Sequence, residues 1–167
     1  MPFFKKTAAD GNAAETKQYD AKEAFLRACS FCAYQERSPA EVLERLREWQ
    51  VRGEDAAWVV NRLQEENFLD EARFARSFAG GKFRVKRWGR VKIRHELRLH
   101  GLSEPLVRLG LQEINEADYR RTLLDLLAKK NAALRDEDPI ARRQKLIRFG
   151  LAKGYENELV WQAAGDF

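Results

Sequence analysis

A recurring segment constrains this chain more than any other feature. Leu46-Arg-Glu-Trp49 runs on to Gly53, His95-Glu-Leu97 to Gly101, and Lys145-Leu-Ile147 to Gly154, placing three glycines 48 and then 53 residues apart. Each follows an apolar-basic segment and precedes another amphipathic one: Trp58 to Leu63, Leu106 to Ile114, and Leu159 to Ala163. Asp70-Glu71-Ala72-Arg73-Phe74 returns 45 residues later as Asn115-Glu116-Ala117-Asp118-Tyr119. Asp70 is placed to cap the helix that follows it, with Phe74 and Tyr119 pointing inward. Repeated segments that cannot each bury an apolar face alone are expected to stack. The spacing therefore predicts three units of three helices.

Local signals agree on helix. Ser38-Pro39-Ala40-Glu41 offers a capping hydroxyl, a proline at the first helical position and a glutamate at the third. Asp138-Pro139 repeats the cap-and-proline pair, and Ser103-Glu104-Pro105 is a looser form. Val42, Leu46 and Trp49 recur at helical spacing, as do Leu123, Leu124 and Leu127, and Ile140, Ile147 and Leu151. Residues 1–18 lack periodicity and are expected to be a flexible N-terminal tail. The repeats then fall at 19–69, 70–114 and 115–167. One stretch competes with this reading. Phe83-Arg-Val85-Lys and Val91-Lys-Ile93-Arg alternate with period two around Trp88-Gly89, a β-hairpin signal. As a helix after Gly89, the same residues give an Ile93/Leu97 core stripe flanked by Arg90, Arg94 and Arg98, with Val91 and Leu99 left over.

Charge narrows the function. The net charge is only +5, but Lys82, Arg84, Lys86, Arg87, Arg90, Lys92, Arg94 and Arg98 face a single acid, Glu96, between positions 82 and 100. That segment carries +7 and the remainder −2, which is the footprint of an anionic partner. A second tract, Pro139 to Lys153, holds Arg142, Arg143, Lys145, Arg148 and Lys153 without an acid. A chain that is 44% hydrophobic and 34% charged suits neither a disordered tail nor a membrane protein. No uncharged apolar run approaches the ~18 residues of a membrane span. The Met1-Pro-Phe-Phe-Lys start lacks the apolar stretch of a secretory leader, so the expected location is cytoplasmic.

Catalytic look-alikes fail on geometry. Cys29-Ser-Phe-Cys32 has a redox or half-zinc spacing, but Phe25, Ala28, Cys29 and Cys32 share one helical face and read as core. His95-Glu96 and His100 resemble a zinc motif that is one residue too long. Its histidines would lie roughly 140° out of alignment around a helix. Gly80-Gly81-Lys82-Phe83 lacks the hydroxyl of a phosphate loop. No catalytic residue, cofactor or metal is expected.

The block Phe68-Leu69-Asp70-Glu71-Ala72-Arg73-Phe74-Ala75-Arg76-Ser77-Phe78, followed by Trp88-Gly89, Ile93-Arg-His-Glu96-Leu97 and Gly101-Leu102, resembles the RecX family. Glu36-Arg37-Ser38-Pro39-Ala-Glu41 belongs to the same likeness, which extends loosely over about residues 21–163. The third unit matches weakly, and Gly80-Gly81 falls where the family has a continuous helix. The resemblance implies an all-α fold, three tandem three-helix repeats in an elongated, curved array, and makes residues 83–100 helical. It further implies a regulator of the RecA recombinase that binds the RecA filament on single-stranded DNA. Such a protein inhibits strand exchange and ATP hydrolysis and acts in recombination, DNA repair and the SOS response. The expected filament-binding or nucleic-acid-binding set is Lys82, Arg84, Lys86, Arg87, Arg90, Lys92, Arg94, Arg98, Arg142, Arg143 and Lys145, on a monomer that touches no membrane. The alternatives are a non-specific DNA-binding helical protein and a helical-repeat scaffold for acidic protein partners.

Overall fold

The computed structural model describes residues 18–135 and 138–167. Among these residues nine helices run in order: α1 Ala21–Tyr34, α2 Pro39–Glu48, α3 Gly53–Glu65, α4 Glu71–Lys86, α5 Arg90–Leu99, α6 Glu104–Leu111, α7 Glu116–Ala133, α8 Pro139–Ala152 and α9 Asn157–Ala164. No strand occurs among the described residues. The tail expected at 1–18 lies outside them, except for Gln18.

The helix starts follow a rule by position. The first helix of each triplet is capped by a side chain: Asp20, Asp70 and Asn115 each accept the backbone N–H three residues on. The second helices begin at Ser38-Pro39, Gly89 and Asp138-Pro139, and Ser38 completes a reciprocal box with Glu41. The second helices also end alike. Gln50, Gly101 and Gly154 have positive φ, and the next residue's N–H reaches back to Leu46, Leu97 and Gly150 respectively. That is the left-handed C-terminal turn in which glycine avoids a Cβ clash. The repeat register thus shifts in the first unit: the matching residue is Gln50, whereas Gly53 opens α3. The period-two stretch is helical on both sides of a corner at Arg87, Trp88 and Gly89, and α4 runs unbroken through Gly80-Gly81.

Each helix packs mainly within its own triplet, α1 on α3, α4 on α6, and α7 with α8 and α9. Two apolar cores result. Ala24, Ala28, Cys32, Val42, Leu46, Val59 and Leu63 fill the first triplet alone. A larger core runs continuously from Phe74 through Ile93, Leu97, Tyr119 and Leu127 to Val160, so the second and third triplets share one interior. Of the helically spaced Ile140, Ile147 and Leu151, Ile147 is buried while Ile140 and Leu151 are 70% and 39% exposed. Leu146 fills the core beside Ile147, because α8 turns that face inward.

The first triplet meets the second through polar contacts. Arg73 pairs with Glu36 at 2.9 Å, and Ser38 Oγ shares a 3.2 Å hydrogen bond with His100 Nδ1. His100 in turn packs edge-on against Phe74 and Phe78. The joint between second and third triplets is tighter. The Gly89 N–H donates to the Lys153 carbonyl (2.8 Å) and the Val91 N–H to the Gly154 carbonyl (3.0 Å). A Cβ on Gly154 would lie 2.2 Å from the Lys92 Cβ, so only glycine permits this approach. Tyr119 stacks on Tyr155 at 4.8 Å, and its hydroxyl accepts the Arg90 N–H while donating to Glu156. Burial, followed by the hydrogen bond to Glu156, pushes the Tyr119 hydroxyl far above its ordinary range.

Candidate functional site

The structure divides the basic residues by what holds them. Arg90 Nη2 lies 2.8 Å from Glu116 Oε2, the same guanidinium donates to the Ile114 carbonyl, and it sits 4.0 Å over the Tyr119 ring. Arg94 and Arg98 both grip Glu104, at 3.2 and 2.8 Å. The Arg98 hydrogen bond holds the Glu104 carboxyl below the usual carboxylate range, and Arg90 does the same for Glu116. The arginines flanking the Ile93/Leu97 stripe are therefore paired on the protein's own surface, Arg94 and Arg98 sharing the single Glu104 carboxylate. The cause lies downstream: α6 and α7 open with Glu104 and Glu116, acids favoured at helix N-termini, and folding brings them against α5.

A second class of cation rests on rings instead. Lys82 and Lys92 place their ammonium groups 5.0 and 4.5 Å from the Trp88 ring. Lys130 and Lys153 do the same at Phe149, at 5.6 and 5.8 Å, and Arg143 lies over Trp161. A ring face attracts a cation without cancelling its charge. Arg84, Lys86 and Arg87 are exposed and make no ion pair among the described residues. The joint brings the Lys92 backbone against Gly154, the residue after Lys153, and so joins the first basic tract to the end of the second. Arg142, Arg143 and Lys145 lie toward the other end of α8, about 15 Å from Lys153 along the helix axis at 1.5 Å per residue. Arg142 and Lys145 are half-buried there. Lys130 and Lys153 extend the expected set. The four-residue spacing from Phe149 to Lys153 was legible in sequence, whereas Lys130 arrives only through tertiary packing.

The remaining candidates resolve into structure. Cys32 is buried and Cys29 half-buried, both unoxidised in the first core. Burial, with Cys29 beside it, pushes the Cys32 thiol up to about 11. No cluster of three or more potential metal ligands occurs among the described residues. No helix among them is long and apolar enough to cross a membrane.

Residues 70–111 match the model of the RecX second three-helix domain, and residues 117–164 that of the third. The regulatory protein RecX of Prosthecochloris aestuarii is 30% identical over 147 residues, covering 88% of this chain and 95% of that protein. The chain belongs to the RecX family. The regulatory protein RecX of Bacillus cereus strain B4264 is 25% identical over 141 residues, 84% of this chain, which spans only 52% of that longer relative. Two solved RecX structures share the fold. One, a regulatory protein RecX, has a TM-score of 0.79 at 20% identity over 88% of this chain and 72% of that one. The other, RecX from Lactobacillus salivarius, also has 0.79, at 16% identity over 88% of this chain and 96% of that one. The three-helix domains of the RecX family thus coincide with the second and third triplets, which share one core and bear the ring-held lysines.

Proposed function

We propose that this RecX-family chain is a cytoplasmic, monomeric regulator of RecA that binds its filament on single-stranded DNA and lowers its recombinase and ATPase activity. It does so without catalysis or a cofactor of its own. Family membership over nearly the full length of the Prosthecochloris protein carries this reading. The charge map supports it: two triplets that share one core present Lys82, Arg84, Lys86, Arg87 and Lys92 as cations without an ion pair among the described residues. An elongated, curved array of helices would lay that surface along a filament, touching protein and phosphate together. Arg142, Arg143 and Lys145 form a secondary contact at the far end of α8. The test compares binding of the full chain to RecA-coated single strands, to naked DNA and to RecA alone. Preference for the coated strand supports the reading, and equal affinity for naked DNA overturns it in favour of plain DNA binding.

A further inference from the structure

The joint between the second and third triplets gathers lysines from both basic tracts, and we propose that this seam is a track for one single strand of nucleic acid. Lys92 and Lys153 grip its phosphates, and Trp88 and Phe149 stack its bases. The proposal deepens the reading above by assigning the nucleic-acid part of the filament to named residues.

Lys92 and Lys153 are 61 residues apart in sequence, yet they issue from backbones in direct contact at the Gly89–Lys153 and Val91–Gly154 hydrogen bonds. Both ammonium groups rest on aromatic rings, and each ring carries a second lysine, Lys82 on Trp88 and Lys130 on Phe149. This arrangement differs from the arginine pairs of α5 in what an incoming phosphate must displace. A phosphate approaching Arg94 or Arg98 competes with the Glu104 carboxylate. Lys92 and Lys153 have no carboxylate partner among the described residues, so there a phosphate competes with a ring and the lysine keeps its charge until the phosphate arrives. A lysine that swings to a phosphate also bares the ring face it covered. Trp88 and Phe149 are half-buried and so held in place, which leaves each as a platform for one unstacked base. Stacking of this kind tolerates any base, and a duplex offers it no exposed base face. An acidic protein segment would engage the lysines but would leave the bared rings without partners.

The test is fluorescence anisotropy of a labelled oligothymidylate with the full chain across a salt series. On a single strand each neutralised phosphate contributes roughly −0.7 to the log–log salt slope. Lys92→Gln/Lys153→Gln is expected to reduce the slope by about 1.4, for two phosphates lost. Phe149→Leu weakens binding at every salt concentration while leaving the slope in place. Arg94→Gln/Arg98→Gln, which removes arginines already paired, leaves the slope unchanged. Circular dichroism confirms the fold of each variant before it is titrated. An unchanged slope in the double lysine variant overturns the seam. So does displacement of the oligonucleotide by polyglutamate as efficiently as by unlabelled strand, which would make the surface an acidic-protein site. RecA ATPase assayed with the same variants separates the two readings. A slope that falls as expected while the unmodified chain has no effect on RecA sinks the regulator reading and spares the seam.

Discussion

Replacing Gly154 and Gly101 by alanine separates the strain of a left-handed turn from the cost of prying apart the second joint. Both glycines end a second helix at positive φ, +91° and +80°. An L-residue there loses about 1–2 kcal/mol. Around Gly101 a Cβ meets nothing within 4 Å, so Gly101→Ala measures that strain alone. At Gly154 the same Cβ would lie 2.2 Å from the Lys92 Cβ and 2.8 Å from its backbone nitrogen. Overpacking against backbone adds about 1–3 kcal/mol. Gly154→Ala should therefore cost about 2–5 kcal/mol in all. In a chain of this length about 1 kcal/mol lowers Tm by roughly 2–4 °C. Urea unfolding followed by far-ultraviolet circular dichroism gives both numbers on one scale. Equal losses for the two variants, within about 0.5 kcal/mol, would show that the joint yields freely and that the shared core does not depend on it.

Three further outcomes follow from packing and burial. Tyr119→Phe leaves the Arg90 N–H and Glu156 without the hydroxyl that joins them, and should cost about 1–3 kcal/mol in urea unfolding; a loss below about 0.5 kcal/mol would mean water replaces it. Leu97→Ala empties a fully buried site beneath α5 and should cost about 2–5 kcal/mol, against near-neutral behaviour for Leu99→Ala at a position 68% exposed. The Cys32 thiol titrates near 9 when unfolded and near 11 when folded, so its contribution is intact below pH 9 and is lost as pH rises toward 11. At pH 10.5 that is about 2 kcal/mol, and Cys32→Val should show an alkaline loss smaller than the unmodified chain by that amount. Identical alkaline losses in the two proteins would contradict the assignment.

How far the sequence foretells this structure depends on the range of the interaction. Helix starts are local, and Ser38, Asp70 and Asp138 all cap where the sequence places them. The helical identity of 83–100 did not follow from pattern, because Val85, Val91 and Leu99 are exposed apolar residues that mimic strand alternation. The register of the first repeat departs from the glycine spacing because Gln50 adopts a conformation usually signalled by glycine, while Gly53 stands three residues on. The site was harder. A count of charges along the chain cannot tell an arginine facing Glu104 from a lysine resting on Trp88, since both partners come from other elements. Arg90, Arg94 and Arg98, expected in the binding set, are paired with Glu116 and Glu104. Lys130 gained its place only when α7 packed against α8 and brought it to the Phe149 ring, whereas Lys153 sits four residues from that ring in sequence.

Regulation of RecA is tested most directly by the steady-state ATPase of RecA on single-stranded DNA as this chain is titrated in. ATPase should fall at substoichiometric to equimolar chain, and fall less with Lys82→Gln/Lys92→Gln at equal helicity. An ATPase rate that holds constant through a large molar excess of folded chain would contradict it.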